Sequence, residues 1–343
     1  MSEKKPFTRV TVLILAVFFG LPALFAGGNS LKVTTAADNL YLIRGMKWDV
    51  CAVFLVTGEG VLVVDSGNGP GEGRMIVEKI KEKTGKPIKY VVITHYHFDH
   101  TWGLSEFPKA AEIIAHTNCA KNITNFSEKD RKEVLEEGLP GDIEKLGKKI
   151  VKLEQENNPG LKEEKKKLER LKQEIEEVKR TKVVCPTTTF NKKKSIILGG
   201  EKVEIIYPGR THTDGSIIVY FPGKKAVVMG DILFHGYHPF IDERAGSDTA
   251  NWIVFLKQLS KWNIEKVIPG HGRLTGKEAF KHQVQYLTDL RNLVKEAVKK
   301  GLSLEETKKS FKMAGYDHLE WPDMLQDSSI EAVYLELKKS SRR

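Results

Sequence analysis

Three imidazoles and a carboxylate fall within the six residues His95-Tyr96-His97-Phe98-Asp99-His100. They follow Tyr90-Val91-Val92-Ile93, a β-branched run that reads as a buried strand. A regular strand sends alternate side chains to opposite faces. A tight loop at a strand tip can instead turn His95, His97, Asp99 and His100 toward one point. Imidazole nitrogen beside hard carboxylate oxygen is a ligand set for Zn²⁺, with Fe or Mn tolerated. Any fold this chain adopts must therefore deliver a metal site at the end of a strand.

The same layout recurs along the chain. Val61–Val64 ends in Asp65. Val203–Tyr207 leads into the loop Pro208–Ser216, which holds His212. Ala226–Met229 ends at Gly230-Asp231, and Lys266–Ile268 ends in Pro269-Gly270-His271-Gly272. Strand ends on one edge of a sheet are neighbours in space, so these loops can converge. His95, His97, Asp99, His100, His212, Asp231 and His271 then supply five imidazoles and two carboxylates, enough for two metals.

Further strand signals lie at Leu40–Ile43, Cys51–Val56, Ile113–Ala115, Thr181–Thr189, Ser195–Leu198 and Ile217–Phe221. Helical spacing runs through Met75–Ile80 (closed by Gly85), Trp252–Trp262, Lys277–Lys299, Leu302–Met313 and Ile330–Leu337. This order predicts an α/β protein with helices packed on sheets. At 40% hydrophobic residues, 343 residues can bury a large core. The net charge of +10 is spread along the chain and gives weak attraction to anionic surfaces. No basic stretch interleaved with aromatics is present, which argues against a nucleic-acid partner. Three cysteines, Cys51, Cys119 and Cys185, are too few for a disulfide framework.

Residues 121–182 break the composition. Ile143, Leu146, Ile150 and Leu153, then Leu161, Leu168, Leu171, Ile175 and Val178, recur at helical spacings on either side of Asn157-Asn158-Pro159-Gly160. With 17 Lys/Arg against 15 Asp/Glu, this is a charged, coiled-coil-like helical hairpin inserted into a main domain of residues 29–120 and 183–343. It is the expected place for a protein partner or for self-association. At the N-terminus, Lys4, Lys5 and Arg9 precede an apolar run from Val10 to Phe25 and then Ala26-Gly27-Gly28. Residues 1–28 therefore read as a secretory signal peptide or, if uncleaved, a membrane anchor. The expected location is periplasmic or extracellular, with attachment to the inner membrane in the uncleaved case.

Asp65, Thr94–Gly103, His212, Asp231 and His271 resemble, in order, the five motifs of the metallo-β-lactamase fold superfamily. The resemblance spans roughly residues 38–118 and 183–300. It implies a four-layer αβ/βα sandwich with metals along one edge. It implies His95, His97 and His212 on one ion, Asp99, His100 and His271 on the other, and Asp231 bridging. Asp65 and Thr94 would orient the ligand loop. The pairing of His100 with Asp231 is similar to the glyoxalase II and lactonase branches. β-Lactamases with a cysteine ligand carry it where this chain has Asp231. The chain is also similar to exported SoxH-like, quinoprotein-relay hydrolases.

The expected activity is that of an exported binuclear zinc hydrolase. A metal-bridging hydroxide attacks the carbonyl of a small molecule such as a thioester, lactone or β-lactam. Asp99 would hold and pass on the proton. Trp102, Arg210, His235, Tyr237 and His238 are candidates for the substrate pocket. His116, His282 and His318 read as structural or surface histidines. Two alternatives use the same residues: a mononuclear iron sulfur-dioxygenase, and a partner-binding protein with a structural metal.

Overall fold

The computed structural model describes residues 31–310 and 312–340. Residues 1–28, where the sequence suggests a signal or an anchor, lie outside them. Two sheets form the centre. The first has seven strands in chain order: β1 (Lys32–Ala37), β2 (Leu40–Arg44), β3 (Ala52–Thr57), β4 (Gly60–Val64), β5 (Ile88–Val92), β6 (Glu112–His116) and β7 (Thr188–Phe190). Its first four strands are antiparallel, and from β4 to β7 the pairing is parallel. The second sheet contains β8 (Lys193–Leu198), β9 (Glu201–Ile206), β10 (Ile218–Phe221), β11 (Ala226–Val228) and β13 (Lys266–Ile268), in the order β13-β11-β10-β9-β8. A two-stranded ladder joins β12 (Phe234–His235) to β14 (His271–Gly272).

The period-2 alternation of the strands sorts their side chains between faces. Val53, Leu55, Leu62 and Val64 meet Val203, Ile205, Val219 and Val228 in the core between the sheets. Phe54, Val61 and Val63 point the other way, onto Ile76 and Ile80 of helix α1 (Pro70–Lys83). On the outer face of the second sheet, Ile218 and Val227 pack against Trp252, Leu256, Phe280 and Leu287. The result is helix, sheet, sheet, helix, the αβ/βα sandwich the motifs implied.

After the ligand strand, Phe98–Thr101 forms the one-turn helix α2, where the sequence reading had only a loop. Helical structure in the insertion starts earlier than expected. It runs through α3 (Thr117–Asn122) and α4 (Glu128–Glu133), with π-helical turns at Ile123–Ser127 and Val134–Gly138, into α5 (Leu139–Gln155) and α6 (Leu161–Arg180). Helix α6 returns against the main domain. Leu171, Ile175 and Val178 join the core that holds Phe98 and Trp102, and Glu177 accepts from Gly71 N at 2.8 Å.

Thr181–Thr189 is not one strand: only Thr188–Phe190 forms strand. Pro186 supplies no backbone donor there, and Val183 and Val184 instead pack onto the outer-face core. The C-terminal third is helical: α7 (Thr249–Leu259), α8 (Glu278–Lys299), α9 (Leu304–Ser310) and α10 (Pro322–Ser340). Helix α9 is shorter than the predicted Leu302–Met313, and α10 begins earlier than Ile330. Among the described residues, no helix is long and apolar enough to cross a membrane.

Candidate metal centre

Seven side chains picked out of separate loops stand together at one edge of the sandwich. His95, His97, His212 and Asp231 form one group and Asp99, His100 and His271 a second, with the candidate ligand atoms of each group within 4.8 Å of one another. All seven are buried. Asp231 joins the groups. Its Oδ2 faces His95 Nε2 (3.6 Å), His212 Nε2 (3.7 Å) and His271 Nε2 (3.3 Å), and its Oδ1 faces His100 Nε2 (3.2 Å). Asp99 Oδ2 closes the second group, 3.5 Å from His100 Nε2 and 3.3 Å from His271 Nε2.

The tautomer of every imidazole follows from what holds its far nitrogen. His100 Nδ1 donates to Asp65 Oδ2 (2.8 Å), His97 Nε2 to Asp242 Oδ2 (2.9 Å), His212 Nδ1 to Phe240 O (2.8 Å) and His271 Nδ1 to Trp48 O (2.9 Å). These oxygens can only accept. Thr94 Oγ1 gives its hydrogen to Asp65 Oδ2 (2.8 Å), so it accepts from His95 Nδ1 (3.1 Å). In the neutral ring the inward nitrogens, Nε2 of His95, His100, His212 and His271 and Nδ1 of His97, are therefore the ones that carry the lone pair.

Lone pairs this close repel. His97 Nδ1 lies 3.0 Å from His95 Nε2 and 3.2 Å from His212 Nε2. A tetrahedral ion with nitrogens at about 2.0 Å sets its ligands roughly 3.3 Å apart, which matches this spacing. His100 Nε2 and Asp231 Oδ1 are buried and make no hydrogen bond. Such atoms are costly unless a cation satisfies them. The donor set thus fits two divalent ions. No cysteine belongs to either group. Burial pushes the nearby Cys51 thiol up, away from a metal-binding thiolate, and its Sγ donates to Gly272 O.

The backbone is shaped for this. Asp65 sits at φ +63 at the end of β4, where its carboxylate takes Thr94 N (2.8 Å) as well as Thr94 Oγ1 and His100. A Cβ on Gly270 would lie 2.0 Å from Asp231 Oδ1, so only glycine lets the chain pass the bridging carboxylate.

Burial opposes charge on His271, yet Asp231 and Asp99 outweigh it and push this imidazole up to about 10. Burial, then His97, brings His212 down to about 4. Burial works against the Asp99 carboxylate, but His100 and His271 hold it well below the usual carboxylate range. Burial likewise opposes charge on His100, but Asp99, Asp231 and Asp65 push it up, so loading displaces protons from His100 and His271, because a metal needs the neutral imidazole, and none from His212 at neutral pH. Adding zinc to chelator-treated protein in weak buffer at about pH 7.5 should release protons, and affinity should fall as pH falls. A pH-stat titration with no acid released would contradict this.

The other sequence candidates are placed as follows. Trp102 is buried, packs at a tilt on Phe98 (4.8 Å between ring centroids) and lines a cavity of about 240 Å³ with Trp48, Met75 and Val178. Arg210 is not brought to the ligands. Its Nε donates to Gly246 O (2.6 Å) and its Nη2 to Ser247 O, a clamp on a loop. His238 is buried against Tyr286 Oη (2.9 Å). Tyr237 Oη donates to Asp49 Oδ2 (3.3 Å), and its ring meets Trp321, whose own ring lies 5.0 Å from that of His271. His235 donates to Arg273 O and lines a separate cavity of about 480 Å³ behind Phe234. His116 has a structural place: it stacks on Tyr207, and its Nδ1 accepts from Asn118 N. His282 and His318 are exposed. Sequence reasoning missed Asp242, Trp48 and Phe240, which orient three of the imidazoles.

Comparison with known proteins agrees with this geometry. The family described as the Metallo-beta-lactamase superfamily matches residues 46–271. A type 2 metallo-beta-lactamase from Elizabethkingia meningoseptica is 23% identical over 288 residues, covering 81% of this chain and 93% of the relative. The structure of a metallo-beta-lactamase from Pontibacter korlensis superposes with a TM-score of 0.55 at 18% identity, over 75% of this chain and 99% of that one. A stereoselective inverting sec-alkylsulfatase from Pseudomonas sp. gives a TM-score of 0.59 at 17% identity, over 89% of this chain and 50% of that one. With its motifs, fold and two-part ligand cluster, the chain belongs to the metallo-beta-lactamase superfamily and is a metal-dependent hydrolase.

Proposed function

We propose that the protein is a binuclear zinc hydrolase that opens an activated carbonyl: a thioester, lactone, β-lactam or related ester. The observation that carries this reading is the pair of buried ligand groups sharing one carboxylate, Asp231, with every imidazole held from its far nitrogen so that the inward one ligates in the neutral ring. Zinc held there supplies Lewis acidity and lowers the pKa of a coordinated water toward neutrality. The chain's own residues do the rest. Asp65, Asp242 and the carbonyls of Trp48 and Phe240 keep the imidazoles aimed inward. Asp99 would hold the second ion through Oδ2, the oxygen turned to His100 and His271, and its Oδ1 would take the proton of the attacking water and pass it to the leaving group. Beside Phe98, the cavity walled by Trp48, Trp102, Met75 and Val178 offers an apolar wall for an uncharged part of the substrate. Export through residues 1–28 belongs to the same reading and rests on their sequence pattern alone.

The test uses the full chain, stripped with a chelator and reloaded with zinc, against a panel of a thioester, a lactone, a β-lactam and a 4-nitrophenyl ester. Turnover of at least one, lost on stripping and restored by zinc, is expected. No turnover on any of them with two zincs bound would overturn the carbonyl reading. One iron and no zinc would favour the dioxygenase.

A further inference from the structure

The insertion reaches the ligands through an unbroken chain of side chains. Asp130, on α4, is buried and receives Arg244 in fork geometry: Nη1 to Oδ1 at 2.8 Å and Nη2 to Oδ2 at 2.9 Å. The same Nη2 donates to Tyr96 Oη (2.8 Å), and Tyr96 Oη donates to Asp242 Oδ2. Asp242 Oδ2 also takes His97 Nε2, and its Oδ1 takes Ala245 N (3.1 Å). The Arg244 guanidinium lies over the Phe126 ring, at 4.5 Å, in the first π-helical turn of the insertion.

Each link fixes the next. Asp130 sets the plane of the guanidinium, because a bidentate pair allows little rotation. Arg244 fills a lone pair of Tyr96 Oη, which leaves the hydroxyl hydrogen for Asp242. Tyr96 and Ala245 N then lock the carboxylate that holds His97 in the tautomer with Nδ1 inward. His97 differs from the other four imidazoles: its inward nitrogen is Nδ1, and two other lone pairs lie within 3.2 Å of it. A small rotation of this ring would disturb the whole three-histidine group.

We propose that the insertion is a structural part of the metal centre: Asp130, Arg244 and Tyr96 are positioning residues that set the orientation and donor strength of His97 through Asp242. This rests on the metal reading above.

The test is cobalt and zinc binding by the full chain, with no substrate needed. Chelator competition gives the affinity of each ion, and the visible absorption of the cobalt protein reports ligand geometry. Asp130→Asn and Tyr96→Phe should each weaken the ion of the three-histidine group about 10- to 100-fold and shift its cobalt bands. Circular dichroism should stay unchanged, as should the affinity of the other ion. Tyr96→Phe removes one hydroxyl and decides the matter if Asp130→Asn fails to fold. Glu164→Gln removes a hairpin ion-pair centre, with Lys149 at 3.0 Å and Lys167 at 2.9 Å, away from this chain of bonds, and should change neither affinity nor bands. Wild-type affinity and bands in Tyr96→Phe would overturn the proposal, as would an equal loss in Glu164→Gln. A wild-type chain that takes up no cobalt would overturn the metal reading itself.

Discussion

Replacing Asp231 by alanine should abolish retention of both ions and lower turnover by on the order of a thousandfold or more, the scale set by several kcal/mol of lost Lewis-acid stabilisation. The reason is position. This carboxylate faces four of the five inward nitrogens, from 3.2 to 3.7 Å, and each oxygen serves a different set. Without it, five imidazole lone pairs are left with Asp99 as the sole carboxylate among them. The second group then keeps three candidate ligands and the first loses its anion. Asp231→Asn keeps the shape but carries no charge and places an amide donor where lone pairs are needed, so it should bind no better. The check is zinc content after desalting together with turnover at saturating zinc. Full retention of two ions by the alanine variant would remove the bridging role.

Asp65→Asn should weaken the ion of the second group by about 10- to 100-fold and destabilise the fold by roughly 2–4 kcal/mol. The native carboxylate accepts three hydrogen bonds: Thr94 N on Oδ1, and Thr94 Oγ1 and His100 Nδ1 on Oδ2. An amide can accept on one side only. Whichever way it is turned, its NH₂ meets at least one donor in a site with no water access, because Asp65 and Thr94 are buried. If the NH₂ faces His100, the imidazole must accept at Nδ1 and carry its hydrogen on Nε2, which no longer ligates. Asparagine tolerates the φ of +63 at this position, so the effect is not a backbone effect. Denaturant melts of the metal-free protein and zinc competition measure the two losses separately. A variant with native stability and native affinity for both ions would refute this role.

The ligands were legible because each stands where a β-branched run stops, and a sandwich puts such stops on one edge. Asp65 and Thr94 were legible for the same reason. Asp242 was not: it lies in the irregular stretch between β12 and α7, where no periodicity points to it. Trp48 and Phe240 act through backbone carbonyls, which carry no residue signature at all. Trp48 also sits at φ +58, a conformation tryptophan does not announce in sequence. The charged hairpin showed itself through its spacing, but its two π-helical turns shift the register between α3 and α5 and hid how far back helix extends. Arg210 was drawn toward the site by its proximity to His212 in sequence. In the fold its guanidinium is spent on the carbonyls of Gly246 and Ser247. The role of Asp130 could not be read from the insertion's charge balance, because its partner Arg244 lies more than a hundred residues away.

Metal content decides most directly whether these side chains form a centre. After chelator treatment, zinc loading and desalting, elemental analysis of the full chain should give two zinc ions per molecule, falling to none in Asp231→Ala. A wild-type chain that keeps less than one divalent ion of any kind would contradict the account.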